Sequence, residues 1–501
     1  MKQRSAEEYL NWLWFKHDSR PFTVLAGDQF GDNGKGAVES AIIDFFEAVV
    51  RVSGGANTGR TRYVRGKDNK LHKLVFHQVP TGWADGKIAI IGDRVLTDLE
   101  RLISEISGIL SVCQTPKQPL YISRKAPVHL AIHRLCEMWI EHIKGKHGVK
   151  PTGRGIGPMS AFSCLKLNLL IGHLFESDLV SRYVKEAYRF MEPIIKAMDN
   201  QGLIRKEDYK AQEEIERLID QGKRIKEYVV DTAPIIHDLA EKKKPTLFGL
   251  TQGFGIHFSG TYPWSSSTET ISAAAAYCPG VPMKYFGPSI MVTKLLPTRV
   301  GAGPFPTGLW DRQEAENFSL EHPELFSGLD ECDQNEREIF LSRLKEKINS
   351  DQASDQEIAQ YFMALGNELG ATTHRGREVG YPDLHLTRCA AKTNGADSIV
   401  LTRLDLLSGL KIKLPLCLGY KIRDRQVPDL VFPTPAELLY RAETINTSFE
   451  MDFSGVSLAG LEKEEELPPD LCQLINFMEK FIGSPLSLSF SPGPKGKIFR
   501  Y

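Results

Sequence analysis

The sequence lacks paired cysteines. Its eight cysteines are spread along 501 residues, and none of them forms a Cys-x-x-Cys pair. This distribution argues against a zinc ribbon and against a disulfide scaffold. We interpret the cysteines as reduced and mostly buried thiols. They are Cys113, Cys136, Cys164, Cys278, Cys332, Cys389, Cys417 and Cys472.

A long apolar run and a strong net charge are also missing. No segment approaches the roughly 18 apolar residues that a membrane-spanning helix needs. A formal net charge of −1 argues against a nucleic-acid or membrane-surface partner, although a local basic pocket is compatible with it. The first 20 residues contain Glu7, Glu8 and Asp18, which is unlike a signal peptide. We therefore expect a cytoplasmic protein.

Short apolar runs alternate with helical patterns, and no internal repeat is evident. This alternation favours an α/β fold with a mostly parallel central β-sheet flanked by helices. The predicted buried strands are residues 22–26, 48–52, 74–77, 88–91, 246–250 and 398–401. The predicted helices include residues 38–47, 128–143 and 183–198.

We expect one large domain over residues 22–501, preceded by an N-terminal extension, 1–21, that carries a short amphipathic helix at 7–16. Residues 310–357 are rich in Glu, Asp, Gln and Ser, and contain a helical segment at 336–348. We interpret this region as a surface insertion whose helices face solvent. The alternative is a surface for a partner or for oligomerisation.

A glycine-rich loop, residues 27–36, follows the first predicted strand. Its glycines allow backbone N–H groups to approach phosphate oxygens. Lys35 can reach the terminal phosphates, and Asp32 can bind Mg²⁺ or accept a proton. The loop is neither the common P-loop nor a GxGxxG loop. By itself it favours phosphate binding, and a structural turn is the alternative.

Six further motifs follow this loop. They are GGANTGRT (54–61), PTGRGIGP (151–158), GTYP (260–263), TRVGAGPFPT (298–307), GNELGATT (366–373) and TRLD (402–405). From about residue 22 to the C-terminus, this ordered series resembles the adenylosuccinate synthetase family. The resemblance implies a single α/β domain related to P-loop NTPases, and a homodimer with shared active sites.

The family's reaction has two steps. A nucleoside triphosphate first phosphorylates the 6-oxygen of inosine monophosphate (IMP), and the amine of L-aspartate then displaces the phosphate. By resemblance, the catalytic residues would be Asp32, Lys35 and Arg60, with Asp32 taking the proton from purine N1. Mg²⁺ would be held by Asp32 and the Gly59 carbonyl.

The resemblance also assigns the binding residues. The triphosphate would be GTP rather than ATP, because the Asp405 carboxylate suits the hydrogen-bond donors of guanine. It would contact Gly31, Gly34, Lys35, Gly36, Gly59, Thr61, Arg377, Arg403, Asp405, Ser491 and Gly493. The purine monophosphate would contact Asn57, Thr152, Gly153, Lys166, Gln252, Ser266 and Arg375. Aspartate would contact Thr372, Thr373 and Arg375, since guanidinium groups match carboxylates.

Several positions depart from the family pattern. Arg60 stands where the family has a histidine that contacts the transferring phosphoryl group. Arginine cannot release a proton near neutral pH, but it can neutralise transition-state charge. The other departures are Asp28, Asn33 in place of an acidic residue, Ala37, Lys166 in place of an arginine, Gly249 in place of a glutamate, His374, Gly376 and Arg403 in place of a lysine.

Three functions are compatible with this pattern. The first is a ligase that acts on IMP or a close 6-oxopurine nucleotide. The second is a paralogue with an altered acceptor, such as GMP or dGMP, in a phage, defence or secondary-metabolite context. Retention of Asp32 argues against the phage homologues that use a 2-amino purine deoxynucleotide. The third is a nucleotide sensor without catalysis, which is suggested by Arg60 and the acidic insertion.

Overall fold

A computed structural model of the chain has a ten-stranded β-sheet at its centre. It describes residues 6–113, 118–258, 260–265, 269–277, 280–299, 301–326, 332–370, 375–432, 436–461, 466–489 and 499–500.

The strands range from two-residue pairs to long antiparallel ribbons. They are β1 Phe22–Gly27, β2 Ala48–Arg51, β3 Arg60–Arg65, β4 Leu71–Phe76, β5 Ile88–Ile91, β6 Leu120–Ser123, β7 Val229–Val230, β8 Thr246–Gly249, β9 Phe286–Lys294, β10 Thr298–Arg299, β11 Glu378–Val379, β12 Ser398–Thr402, β13 Lys411–Ile422, β14 Arg425–Gln426, β15 Glu443–Asp452, β16 Leu486–Ser489 and β17 Phe499–Arg500.

Helices lie between most of the strands. They are α1 Ala6–Lys16, α2 Lys35–Ile42, α3 Leu99–Val112, α4 Ala131–Lys144, α5 Ile156–Leu165, α6 Ser177–Asn200, α7 Ala211–Ile225, α8 Thr232–Glu241, α9 Ala274–Tyr277, α10 Arg312–Glu321, α11 Gln334–Asn349, α12 Asp355–Gly366, α13 Leu384–Asn394 and α14 Pro469–Ile482.

The central sheet has the strand order β17-β16-β12-β9-β1-β8-β2-β5-β6-β7. Its strand pairs are parallel except for β16 with β17. Apolar runs fill β1, β2 and β8, whose residues are all buried, as expected for strands covered on both faces. The carboxyl ends of β1, β8, β9 and β12 therefore share one edge. The predicted α/β fold with a mostly parallel sheet is confirmed.

Two strand predictions differ from the structure. Residues 74–77 belong largely to β4, which pairs only with β3 as an antiparallel hairpin. Its residues are mostly exposed or half-buried, so the prediction of a buried strand was wrong there. The prediction also omitted β9, which lies between β1 and β12 near the middle of the sheet.

The segment predicted as an extension carries helix α1. Tyr9, Leu10 and Leu13 are fully buried in a hydrophobic cluster with residues of β1, α2 and β2. The helix thus packs as part of the fold, because one face supplies apolar side chains to the same core as the first strand.

The acidic region 310–357 is helical, and α11 contains the predicted helical segment 336–348. Its helices do not only face solvent. Ala315, Phe318, Leu344 and Ile348 are buried in a large hydrophobic cluster that also contains residues of α12 and α13. The expectation of a solvent-facing excursion was therefore wrong for these faces, because apolar residues at helical spacing anchor them.

None of the seven described cysteines forms a disulfide. Three of these cysteines, Cys113, Cys389 and Cys417, are buried, whereas Cys164 is exposed, so burial is less general than we expected. Cys278 lies outside the described residues. Within the described part of the chain, no helix has the length and apolarity needed to cross a membrane.

The burial of α1 predicts that Leu10→Ala lowers the free energy of unfolding by about 2–5 kcal/mol, because it removes a fully buried leucine and leaves a cavity. Phe15→Ala on the same helix is the matched control, since Phe15 is 84% exposed. Urea unfolding of both variants measures the difference. Equal small effects would show that α1 does not contribute to the core.

Candidate active site

The first glycine loop joins β1 to α2 at the carboxyl edge of the sheet. Gly34, at the start of α2, has a φ of 83°, in the left-handed region that favours glycine. A Cβ atom on Gly34 would lie 2.9 Å from the Oγ1 atom of Thr402, at the end of β12. That hydroxyl donates to the Asn33 carbonyl at 2.7 Å. The loop is therefore fixed against β12, with the first N–H groups of α2 available to an anion.

Lys35 is buried under this loop. Its Nζ atom donates to the carbonyls of Gly31, at 3.0 Å, and Gln252, and to the Asn33 side-chain oxygen at 3.3 Å. Burial, together with the nearby Arg60 guanidinium, lowers the pKa of Lys35 to about 7. A triphosphate would supply the negative charge that favours the protonated ammonium.

Two departures from the family pattern contact each other in this loop. The Asn33 amide donates to the Asp28 carboxylate at 2.8 Å, and the Thr387 hydroxyl donates to it at 2.7 Å. Burial raises the pKa of Asp28 to about 7. Asp28 thus supports the loop from beneath, whereas Asp32 is 52% exposed.

Asp32 belongs to a network of alternating charges. Arg377 donates to Asp32 and, at 2.8 Å, to Glu368. Lys294, at the end of β9, contacts Glu368 at 3.1 Å. The Arg377 guanidinium holds the pKa of Asp32 well below its usual range. Burial raises the pKa of Glu368, but Lys294 and Arg377 outweigh it and keep that pKa below its ordinary value.

The network continues to the residues that follow β12. The Arg403 guanidinium lies 3.7 Å from Glu368 and 3.3 Å from Asp405. Burial raises the pKa of Asp405, although Arg403 opposes this effect. The structure thus brings together Asp32, Arg377, Arg403 and Asp405, which are distant in sequence.

The second loop lies beside the first. A Cβ atom on Gly36 would lie 3.1 Å from the Thr61 carbonyl, so β3 approaches the start of α2 closely. Gly59 and Thr61 are exposed, whereas Arg60 is buried. The Arg60 guanidinium donates to the Glu39 carboxylate and, at 2.6 Å, to the Leu250 carbonyl.

Asn57 has a side-chain oxygen suited to a ligand. This oxygen is buried, and no hydrogen-bond partner is found for it among the described residues. The adjacent Thr58 is held by the fully buried Arg51 and by His77, whose Nδ1 atom lies 2.5 Å from the Thr58 carbonyl. Burial and the Arg101 cation lower the pKa of His77 to about 4.

The other described residues that are predicted to contact the acceptor, apart from Arg375, lie on two segments. Gln252 has a φ of 61°, and its carbonyl accepts a hydrogen bond from the Lys35 ammonium. Thr152 and Gly153 precede α5, whose first residue, Ile156, lies within 3.1 Å of a Cβ built on Gly55. Lys166 is exposed at the end of α5. The second loop therefore contacts the segment that carries Thr152.

Arg375 is exposed, two residues before Arg377, and its carbonyl accepts from the Gly370 N–H at 2.8 Å. Some predicted residues lie outside the described part of the chain. They are Ser266, Thr372, Thr373, Ser491 and Gly493.

A cavity of about 510 Å³ adjoins the second loop on the side of His77. Its lining includes Arg101, Arg134 and Arg154, and none of the predicted site residues. The Arg134 guanidinium lies 3.0 Å from Asp98, so part of its positive charge is already neutralised.

Sequence reasoning did not single out Lys294, Glu368 or Glu39. Glu368 stands within the quoted GNELGATT motif, and Lys294 ends the apolar run of β9, so both had a signal. Glu39 had none, because its partner Arg60 is 21 residues away on another element.

The described residues hold no group of three or more His, Cys, Asp or Glu side chains suited to a metal ion. Magnesium bound with a nucleotide needs only one or two carboxylates besides phosphate oxygens and water. The half-exposed, ionised Asp32 fits that requirement.

Comparisons with known proteins identify a family with this fold. The family model for adenylosuccinate synthetase matches residues 24–498. The chain is 29% identical to the adenylosuccinate synthetase of Clostridium botulinum over 477 residues, which are 94% of this chain and 97% of that protein. It is 28% identical to the Pseudomonas aeruginosa enzyme over 478 residues, 94% and 96% of the two chains. The fully ligated adenylosuccinate synthetase of Plasmodium falciparum has a similar fold, with a TM-score of 0.75 and 23% identity over 95% and 99% of the chains.

The low pKa of Lys35 predicts pH-dependent binding of a magnesium–triphosphate complex. Above about pH 7 the free protein carries a neutral Lys35, and binding must take up a proton. We expect the affinity to fall as the pH rises above 7, by up to about tenfold per pH unit. Calorimetry in buffers of different ionisation enthalpy measures both the affinity and the proton uptake.

Lys35→Arg is the control, because arginine stays charged over this range. Its affinity should lack the slope, whereas Asp28→Asn, which removes the other group with a pKa of about 7, should keep it. The same slope in wild type and Lys35→Arg would contradict the assignment.

Proposed function

Since the chain belongs to the adenylosuccinate synthetase family, we propose that it condenses L-aspartate with a 6-oxopurine nucleoside monophosphate, IMP or a close analogue. Family membership makes it a ligase that forms a carbon–nitrogen bond. We propose GTP as the favoured triphosphate and Mg²⁺ as its cofactor. The supporting observation is the network that joins Asp32 to Arg377, Glu368 and Lys294 beside Lys35.

In the proposed first step, the purine 6-oxygen attacks the γ-phosphorus, the nucleoside diphosphate leaves, and the N1 proton passes to Asp32. Lys35 and the backbone of Gly31, Gly34 and Gly36 neutralise the phosphate charge, which is the main requirement of phosphoryl transfer. In the second step, the neutral aspartate amine attacks carbon 6, the bond between carbon 6 and the oxygen breaks, and phosphate leaves with that oxygen and with the proton lost from the amine.

Asp32 needs a change of partner to act as a base. Its bond to Arg377 keeps the carboxylate ionised but weakly basic. A triphosphate that draws Arg377 towards its own oxygens would raise the pKa of Asp32 and make the carboxylate a better proton acceptor. Mg²⁺, held by Asp32 and the Gly59 carbonyl, would supply further positive charge to the phosphates.

The acceptor and aspartate would lie on the exposed side of the same network. The unpartnered oxygen of Asn57 suits the acceptor, with Thr152, Gly153, Gln252 and Lys166 as the other candidates in the described residues. Arg375, exposed near Arg377, suits the carboxylates of aspartate.

A nucleotide sensor without catalysis is the second candidate. It is supported by Arg60, whose guanidinium donates to the Glu39 carboxylate and to the Leu250 carbonyl. Position 60 therefore supplies no free acid group for the reaction.

A panel of acceptors tests the ligase. The panel contains the monophosphates of inosine, guanosine and xanthosine and their deoxy forms. With GTP, Mg²⁺ and aspartate, we expect mass spectrometry to detect an aspartyl adduct of IMP or of one of the related nucleotides. Asp32→Asn should lower turnover by about 10²–10⁴, the usual range for a lost proton acceptor. Adduct on another acceptor alone would favour the paralogue. Tight nucleotide binding with no adduct on any acceptor would favour the sensor.

Asp405 tests the choice of triphosphate. Its carboxylate can accept from the N1–H and N2–H₂ groups of guanine, which adenine does not offer. We expect Asp405→Asn to lower kcat/KM for GTP by about 10–100-fold, corresponding to one or two charged hydrogen bonds. The value for ATP serves as the internal control, and an equal fall for both nucleotides would contradict a base-reading role.

A further inference from the structure

Arg60 is held in a buried bracket, defined here by Glu39, Thr81, Gly249 and Leu250. Its side chain is 6% exposed, and that of Glu39 is 0% exposed. One terminal nitrogen of the guanidinium donates to Glu39 and the other donates to the Leu250 carbonyl at 2.6 Å. Both ends of the planar group are therefore occupied within the protein.

The Glu39 carboxylate needs Arg60 as its counter-ion. It lies one helical turn after Lys35 on α2, so both side chains face the same side of the helix. The second oxygen of its carboxylate accepts from the Thr81 hydroxyl at 2.5 Å. A fully buried carboxylate is strongly unfavourable without a counter-ion, so loss of Arg60 would leave an uncompensated charge beside the first loop.

Gly249 provides the space for the guanidinium. A Cβ atom built on this residue would lie 2.8 Å and 3.2 Å from the two terminal nitrogens of Arg60. Any side chain at the end of β8 would therefore displace Arg60. The glycine on one strand and the glutamate on α2 are both needed for the observed position.

We propose that Glu39 is a positioning residue that fixes Arg60 beside Lys35 as a supporting cation of the triphosphate loop, and that Arg60 is not a direct phosphate ligand. The inference rests on the proposed function only in taking the first loop as the triphosphate site. It also explains how an arginine is tolerated at this position, since Glu39 neutralises its charge and Gly249 accommodates its size.

A double-mutant cycle tests this proposal. Binding of a non-hydrolysable GTP analogue with Mg²⁺ is measured by calorimetry for Glu39→Gln, Arg60→Met and the double variant. We expect each single substitution to weaken binding of the analogue by about tenfold. The double variant should bind the analogue at least as tightly as the single variant with the lower affinity. Additive losses, or a loss in Arg60→Met without any in Glu39→Gln, would overturn the proposal.

The pH profile separates positioning from a general loss of stability. The charged groups around Lys35 are Arg60, Asp32, Asp28 and Arg51, with Glu39 one turn along the helix. Removing the Arg60 cation should move the pH midpoint of analogue binding upward, whereas removing the Glu39 charge should move it downward. Midpoints that shift together or not at all would leave Glu39 with a merely structural role and refute the proposal.

Gly249→Ala provides an independent test, because its methyl group enters the space of the guanidinium. We expect a loss of analogue binding similar to that of Glu39→Gln. Gly108→Ala is the matched control, since a Cβ at Gly108 would contact nothing within 4 Å. Unchanged binding in Gly249→Ala would contradict the bracket.

Arg60→His tests the chemical consequence. The shorter imidazole cannot span Glu39 and the Leu250 carbonyl together, so we expect the single variant to have lower turnover than wild type. Arg60→His with Glu39→Leu should recover at least part of that loss. A rise in turnover from Arg60→His alone would overturn the proposal. If the wild-type protein fails to bind the analogue, the proposed function fails instead, and the same cycle in urea midpoints still tests the Glu39–Arg60 coupling.

Discussion

The ion network around Glu368 is the constraint on which the candidate site depends. A carboxylate that is almost entirely buried needs counter-ions, and Lys294, Arg377 and Arg403 provide them from three different segments. The segments of Lys294 and Arg403 meet because β9 and β12 are parallel neighbours that end at the same edge of the sheet. The same two arginines contact further carboxylates, since Arg377 donates to Asp32 and Arg403 donates to Asp405.

This network pairs the charged groups of the site with one another. Arg377 is shared between Asp32 and Glu368, and Lys35 donates to oxygens of its own loop and of Gln252. A bound polyphosphate must compete for these donors, and its negative charge would favour the protonated Lys35 that burial disfavours. Binding and the readiness of Asp32 to accept a proton are consequently linked through the same arginine.

Local patterns predicted the first strand, the loop and a helix after it, because a glycine loop between an apolar run and a helix is a short-range signal. They placed that helix at residues 38–47, whereas α2 is Lys35–Ile42. They failed for β9, whose apolar residues are interrupted by Pro288, Ser289 and Thr293, although it is buried on both sides. They also misjudged β4, since an apolar run does not reveal that only β3 pairs with it. Glu39 and Gly249 were unpredictable as partners of Arg60, because their proximity exists only after the strands assemble.

The departures from the family pattern are easier to understand as pairs than as single changes. Asn33 lacks a carboxylate, but its amide donates to Asp28, which provides one from beneath the loop. Gly249 lacks a carboxylate as well, and the space beside it is filled by Arg60, whose charge is balanced by Glu39 on the adjacent helix. In each pair, an acidic side chain stands at a different position while the loop that carries Asp32 and Lys35 is still supported. Since an unbalanced charge at a buried site costs several kcal/mol, neither member of a pair is expected to tolerate the family's residue unless its partner changes too. The arginine at position 60 is therefore better understood as part of a rearranged support for the triphosphate loop than as an isolated loss of the family's histidine.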